Sequence, residues 1–309
     1  MGHRGAVDWD ALVIGGGPAG LSAAIQLARY NRRVLALDSG EGRSSGVQVN
    51  HNYLGFPDGV AARELRELGR KQLAAYPHAE VRDGMVEKVV RDDGFFVATA
   101  GGKQDRGRTV VLACGVLDDY PEFPGAEDFL GRSMFWCITC DGYECRSKQV
   151  VVLGADDRAA AEALQLLSLT DRVLVLTDGE TAGLGDVARS RLHAAGVPVV
   201  EDRLVEASGE DGQLHELRTA GGRVLPVDAL FVVRGARPRT DLAVQLGVQL
   251  NDRGYVVVDT EQHTSVKGVL AAGDLTSLHG HQVSTAVHEG AQAACAANYL
   301  LYPEAFKIG

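Results

Sequence analysis

At 309 residues, with 45% apolar and 23% charged side chains, the chain is long enough for two globular domains and too evenly polar for a membrane protein. A net charge of −10 argues against nucleic acid as the partner, because neutralising phosphates takes a basic face. The first ten residues hold no apolar signal segment, and no run approaches the ~18 apolar residues of a membrane span. The five cysteines include one tight pair, which suits redox chemistry or a metal in a reducing compartment, so a cytoplasmic location is expected.

In chain order, residues 10–15 read as a short apolar strand running into Gly15-Gly16-Gly17-Pro18-Ala19-Gly20. An apolar-periodic helix over 19–30 and a strand Val34–Asp38 follow, which is a βαβ unit. A helix carries Arg63, Arg66 and Arg70 on neighbouring turns. It reads as an ordinary solvated face or, alternatively, as a basic face for an acidic electron carrier. Residues 95–99 and 109–114 flank Gly101-Gly102 as a hairpin. The plan then repeats: strand 149–154, helix 158–168 and strand Val173–Leu176. A second hairpin is expected from 214–219 through Gly221-Gly222 to 229–233. Residues 269–274 form a buried-type strand ending in Gly273-Asp274, before a helix over 284–301. The expected fold is α/β: two Rossmann-like three-layer nucleotide-binding domains in series.

Gly15, Gly17 and Gly20 sit as G-x-G-x-x-G between strand and helix, where the glycines make the turn, admit a pyrophosphate and pack helix on strand. Asp38 closes the next strand, where a carboxylate accepts hydrogen bonds from ribose hydroxyls. Cys137-Ile138-Thr139-Cys140 is followed by Asp141. Zinc is one reading, with Cys145 as a third thiolate, but no fourth ligand is evident. The spacing also permits a redox disulfide in which one thiolate attacks and the other resolves; Asp141 then serves as proton donor or acceptor, or merely as a turn residue. Cys114 and Cys295 lie in apolar segments and are expected in the core.

Four segments carry a resemblance: 15–20, Asn52-Tyr53-Leu54-Gly55-Phe56-Pro57, 137–142, and 264–274 from Thr264 to Asp274. With these the sequence resembles, across nearly its whole length, the low-molecular-weight thioredoxin reductases of the pyridine nucleotide-disulfide oxidoreductase type. The resemblance implies a discontinuous FAD domain, residues 1–117 and 244–309, around a central domain, residues 118–243, with the dithiol and an NADPH-type site. It places FAD against Gly15, Gly17, Pro18, Ala19, Gly20, Asp38, Val86, Gly115 and Gly273. Asn52 and Asp274 meet the flavin or its ribityl chain. Gln282 and Val283 lie near the ring, with His281 where the family usually has arginine. It implies Cys140 as the flavin-facing sulfur, Cys137 as the sulfur that meets the substrate, and Asp141 as the acid. Thioredoxin or a similar dithiol protein is the implied partner, and a homodimer the implied assembly; no metal is implied.

Two features of the central domain depart from that family. Asp156, in Gly154-Ala155-Asp156-Asp157-Arg158-Ala159, stands where the second fingerprint glycine should be. After the next strand comes Thr177-Asp178-Gly179-Glu180, acidic where the 2′-phosphate of NADPH needs cations. NADPH is therefore not the expected donor, and the chain resembles the pyridine-nucleotide-independent members. Three alternatives stay open. Ferredoxin or another one-electron carrier can feed the flavin. A second FAD or NADH can occupy the central site, since Asp178 lies 24 positions after Gly154 much as Asp38 lies 23 after Gly15. Or the chain is a dithiol oxidase that passes electrons to oxygen.

Overall fold

The computed structural model describes residues 9–46, 48–179, 183–276 and 280–307. The chain divides into two compact units: one from 1–46, 60–117 and 237–309, the other from 47–59 and 118–236. The return crossing falls at 236/237, ahead of the 243/244 boundary expected from the resemblance. The reason is packing: Leu242, Ala243 and Val248 are buried in the first unit's core with Val89, Phe96 and Val256.

The first unit is built on a seven-stranded sheet. Its order is Ala79–Asp83, Val34–Asp38, Trp9–Ile14, Lys103–Leu112, Phe95–Ala100 and Val86–Asp92, with Val269–Ala271 also paired to Lys103–Leu112. The ten-residue strand Lys103–Leu112 serves two architectures at once. Its beginning pairs antiparallel with Phe95–Ala100, and its end pairs parallel with Trp9–Ile14 and Val269–Ala271. Strands Trp9–Ile14 and Val34–Asp38 are apolar almost throughout, as parallel strands covered on both faces must be. One face is covered by helices Pro18–Arg29 and Val283–Leu301, joined through Ala19, Ala23, Ala286, Ala293 and Ala297. Small side chains let the helices approach until Gly290 lies against the Ala19 backbone, leaving no room there for a Cβ.

The second unit holds a five-stranded sheet whose named pairs are all parallel, in the order Met134–Phe135, Ala229–Val232, Val150–Leu153, Val173–Leu176 and Val199–Val200. A three-stranded antiparallel sheet, Leu204–Glu210, Gln213–Thr219 and Val224–Pro226, accompanies it. This corrects the second hairpin. Its return strand is Val224–Pro226, whereas Ala229–Val232, buried at every residue, enters the parallel sheet. A four-residue apolar run with no polar alternation suits a strand covered on both faces, and a half-exposed ribbon has no use for it. Helix Asp157–Leu166 packs on this sheet through Ala159, Ala160, Ala163 and Leu166.

The cysteine expectation changes at Cys295, whereas Cys114 packs against the first unit's core. Cys295 is exposed: its neighbours Ala293, Ala294, Ala296 and Ala297 form the buried face of the helix, and Cys295 falls on the opposite side. Its Sγ lies 3.4 Å from the Tyr30 hydroxyl. Cys114 is half-buried, and desolvation pushes its thiol up to about 11. Among the described residues no helix is long and apolar enough to cross a membrane.

Phe231 is fully buried and packs against Phe135, the rings tilted by 44° with centroids 5.6 Å apart, in the second unit's core. Phe231→Ala is expected to destabilise that unit by about 3–5 kcal/mol, read as a lowered urea midpoint.

Candidate active site

In the first unit, the turn after Trp9–Ile14 has the form a dinucleotide requires. Gly15 has φ +111°, and a Cβ there would strike the Ala113 carbonyl; one at Gly20 would strike Gly15. The helix begins with Pro18 at its first position after Gly17, and no side chain caps it. The cap residue Gly17 thus supplies no side-chain acceptor to the first N–H groups, an arrangement that suits an anionic pyrophosphate. Ser44 lies over this turn, its Oγ 3.4 Å from where a Cβ on Gly17 would be.

Asp38 and Asp274, the two acids expected at the cofactor, are both held by arginines that the sequence did not nominate for this role. Asp38, 5% exposed, pairs with Arg66 at 2.6 Å and Arg70 at 3.2 Å. The Arg66 and Arg70 head groups are therefore turned to Asp38, with Arg70 also on Asp83 at 2.7 Å, so they do not form an open docking face for a carrier. Arg43 pairs with Asp274 at 2.8 Å. The Gly273-Asp274 turn is fixed by the buried Glu289, whose Oε2 accepts from Gly273 N at 2.6 Å and Thr276 Oγ1 at 3.2 Å. Only the tertiary fold could reveal Glu289, since its sequence position reads as helix surface.

The other expected residues are distributed as follows. Gln282 forms a reciprocal capping box with Thr285 at the start of Val283–Leu301, and His281 rests against Tyr255 at 5.7 Å. Gly115 has φ +67° with open space at its Cβ position. Val86 is buried in the core. Asn52 is grouped with the second unit, where its Nδ2 donates to the Thr139 carbonyl at 3.2 Å, within the dithiol turn.

In the second unit Cys137 and Cys140 form a disulfide that straddles a single helical turn, Ile138–Asp141, with their Cα atoms 5.3 Å apart. The Cys140 N–H donates to Cys137 Sγ at 3.1 Å, a contact that favours negative charge on Cys137 once the bond is opened. Asp141 follows directly. Burial pushes its carboxyl up from 3.8 to about 7, and the Glu144 carboxylate adds to the rise. Glu144 Oε2 is itself buried and finds no hydrogen-bond partner among the described residues. Cys145 is fully buried, its thiol pushed up to about 11 mainly by desolvation, and its Sγ donates to the Asp141 carbonyl.

The second fingerprint turn is built differently from the first. Asp156 is the N-cap of helix Asp157–Leu166: its Oδ1 accepts from Arg158 N at 3.0 Å and Ala159 N at 3.2 Å, and Oδ2 pairs with the Arg158 side chain. Asp157 accepts from Gly185 N at 2.8 Å, which ties 183–185 to the helix start, and Gly183 lies against Ala155 and Asp156. Asp178 accepts from Leu204 N at 2.9 Å and lies 3.5 Å from Arg234. Glu180 lies outside the described residues.

Two Rossmann-type units, one with a dinucleotide turn and the other with a C-x-x-C disulfide beside an acid of raised pKa, define a disulfide oxidoreductase. The family model for pyridine nucleotide-disulphide oxidoreductases matches residues 9–290. The thioredoxin reductase of Treponema pallidum is 34% identical over 302 residues, covering 95% of this chain and 97% of that protein. Among solved structures, the thioredoxin reductase of Streptococcus pyogenes superposes with TM-score 0.89 at 25% identity, covering 96% of this chain and 99% of the other. The atypical thioredoxin reductase TRi of Desulfovibrio vulgaris Hildenborough is 34% identical with TM-score 0.53, covering 95% and 98%. The chain belongs to the thioredoxin reductase family of pyridine nucleotide-disulphide oxidoreductases and is an FAD-dependent enzyme.

The raised Asp141 pKa has a defined consequence for stability. Folded Asp141 keeps its proton to about pH 7, while the unfolded residue loses it near 3.8. Its favourable contribution is complete below the unfolded value and is lost as pH rises to the folded one. Denaturation of the oxidised protein is expected to show stability falling between about pH 4 and pH 7, with that component absent in Asp141→Asn. Glu144→Gln removes a like charge and should move the upper limit of the window to lower pH.

Proposed function

We propose that this enzyme exchanges electrons between FAD and a protein dithiol of the thioredoxin type through Cys137 and Cys140. Its proposed donor is a one-electron carrier such as ferredoxin, in place of NADPH. The observation that carries the donor assignment is the Asp156 cap. A pyrophosphate bound at the start of Asp157–Leu166 would have to displace a carboxylate that already takes the Arg158 and Ala159 N–H groups. It would also face the negative charges of Asp156 and Asp157, and a 2′-phosphate beyond it would meet Asp178. The same cap opposes a second FAD in the central unit.

The bound flavin supplies the ability to take up electrons singly and release them as a pair. The residues do the rest. Cys137, whose sulfur accepts the Cys140 N–H, is the thiolate that attacks the partner's disulfide, and Cys140 resolves the mixed disulfide. Asp141, poised near neutrality, holds the proton that a departing thiolate takes up. The thioredoxin assignment rests on the names of the relatives, and a homodimeric assembly on the resemblance.

The test is anaerobic rapid mixing of the flavoprotein with NADPH, NADH, reduced ferredoxin and reduced thioredoxin in turn. Ferredoxin and thioredoxin are expected to bleach the flavin, with neither nicotinamide doing so at micromolar concentration, and with one flavin per chain. Rapid bleaching by NADPH would overturn the donor assignment. Two flavins per chain would instead favour a diflavin enzyme, and hydrogen peroxide formed from dithiols in air would favour an oxidase.

A further inference from the structure

Asp38 is 5% exposed, and a carboxylate so buried is costly unless its charge is matched and its lone pairs are filled. Oδ2 accepts from Arg66 Nε at 3.0 Å, Arg66 Nη2 at 2.6 Å and Arg70 Nη1 at 3.2 Å. Oδ1 accepts only from Gly40 N, at 3.2 Å, among the hydrogen bonds seen. Oδ2 is therefore saturated, while Oδ1 keeps one acceptor position. The carboxylate also lies directly against Gly16 of the dinucleotide turn, where any side chain would collide with it. Arg66 and Arg70 project from one face of helix Ala62–Leu73, four residues apart, with side chains 16% and 26% exposed. This is a built arrangement: two Arg66 nitrogens converge on Oδ2, and Arg70 anchors the same oxygen while spanning to Asp83, which leaves Oδ1 as the oxygen not held by arginine.

We propose that Arg66, supported by Arg70, is a cofactor-specificity residue. It orients Asp38 so that Oδ1 is offered to one ribose hydroxyl of the adenosine half of FAD. The proposal rests on the assignment of Asp38 to that ribose. Arg66 thereby acts through Asp38 on the adenosine end of the cofactor and leaves the flavin end untouched.

The clamp is tested by equilibrium binding of FAD and of FMN, which lacks the adenosine half, to the deflavinated full chain. Arg66→Met is expected to raise the Kd for FAD about tenfold or more, with the Kd for FMN within about twofold of the unaltered protein. Arg66→Lys keeps the charge without the fork, so it secures a folded variant and is expected to lie between the two. Equal loss of FAD and FMN binding, or an unchanged Kd for FAD in Arg66→Met while Asp38→Asn weakens it, would overturn the clamp. Unchanged FAD binding in Asp38→Asn as well would instead refute the placement of the ribose at Asp38.

Discussion

An α-helix leaves its first N–H groups without intrahelical acceptors, and those donors must be satisfied by something. Each unit of this molecule places such a helix start directly after a buried parallel strand, and the two are served differently. At Pro18–Arg29 the cap residue is Gly17, which has no side chain to offer them, and this suits an external anion. At Asp157–Leu166 the Asp156 carboxylate takes two of them, and residues 183–185 are tied across the same turn. One position in the repeated turn thus gives the second helix start an acceptor of its own.

Three half-buried or buried carboxylates show how charge is managed elsewhere. Asp38 is matched by two arginines and stays a firm acceptor. Glu289 relies on a backbone N–H and a hydroxyl, and so works as a strut for the Gly273-Asp274 turn. Asp141 is buried and Glu144 adds a like charge, so its proton affinity rises. The first two arrangements fix geometry, whereas the third creates a group that can gain and lose a proton near neutrality.

Much of this was legible in the sequence because it depends on local pattern. The glycine turn, the Val34–Asp38 and Val173–Leu176 strands, the C-x-x-C turn and the acidic residue at 156 each follow from spacing and residue type. What was illegible depends on distant segments. The pairing of Arg66 with Asp38 joins residues 28 apart, and that of Arg43 with Asp274 joins residues 231 apart. The strand Ala229–Val232 was misplaced because an apolar run after a Gly-Gly turn suits either a hairpin or a buried parallel strand, and only burial on both faces decides. Cys295 was misplaced because composition around a helical residue says nothing about which side it occupies.

The placement of Val269–Ala271 and Val283–Leu301 also bears on how the polypeptide matures. This strand pairs with Lys103–Leu112, and this helix covers Pro18–Arg29, so the first unit's sheet and its helical cover cannot be completed until residues 269–301 have been synthesised. The intervening unit, closed by contacts within 118–236 and 47–59, has almost all its partners much earlier. Biogenesis is thus expected to run from the middle outward, with the alanine-rich face of Pro18–Arg29 exposed to chaperones during the wait.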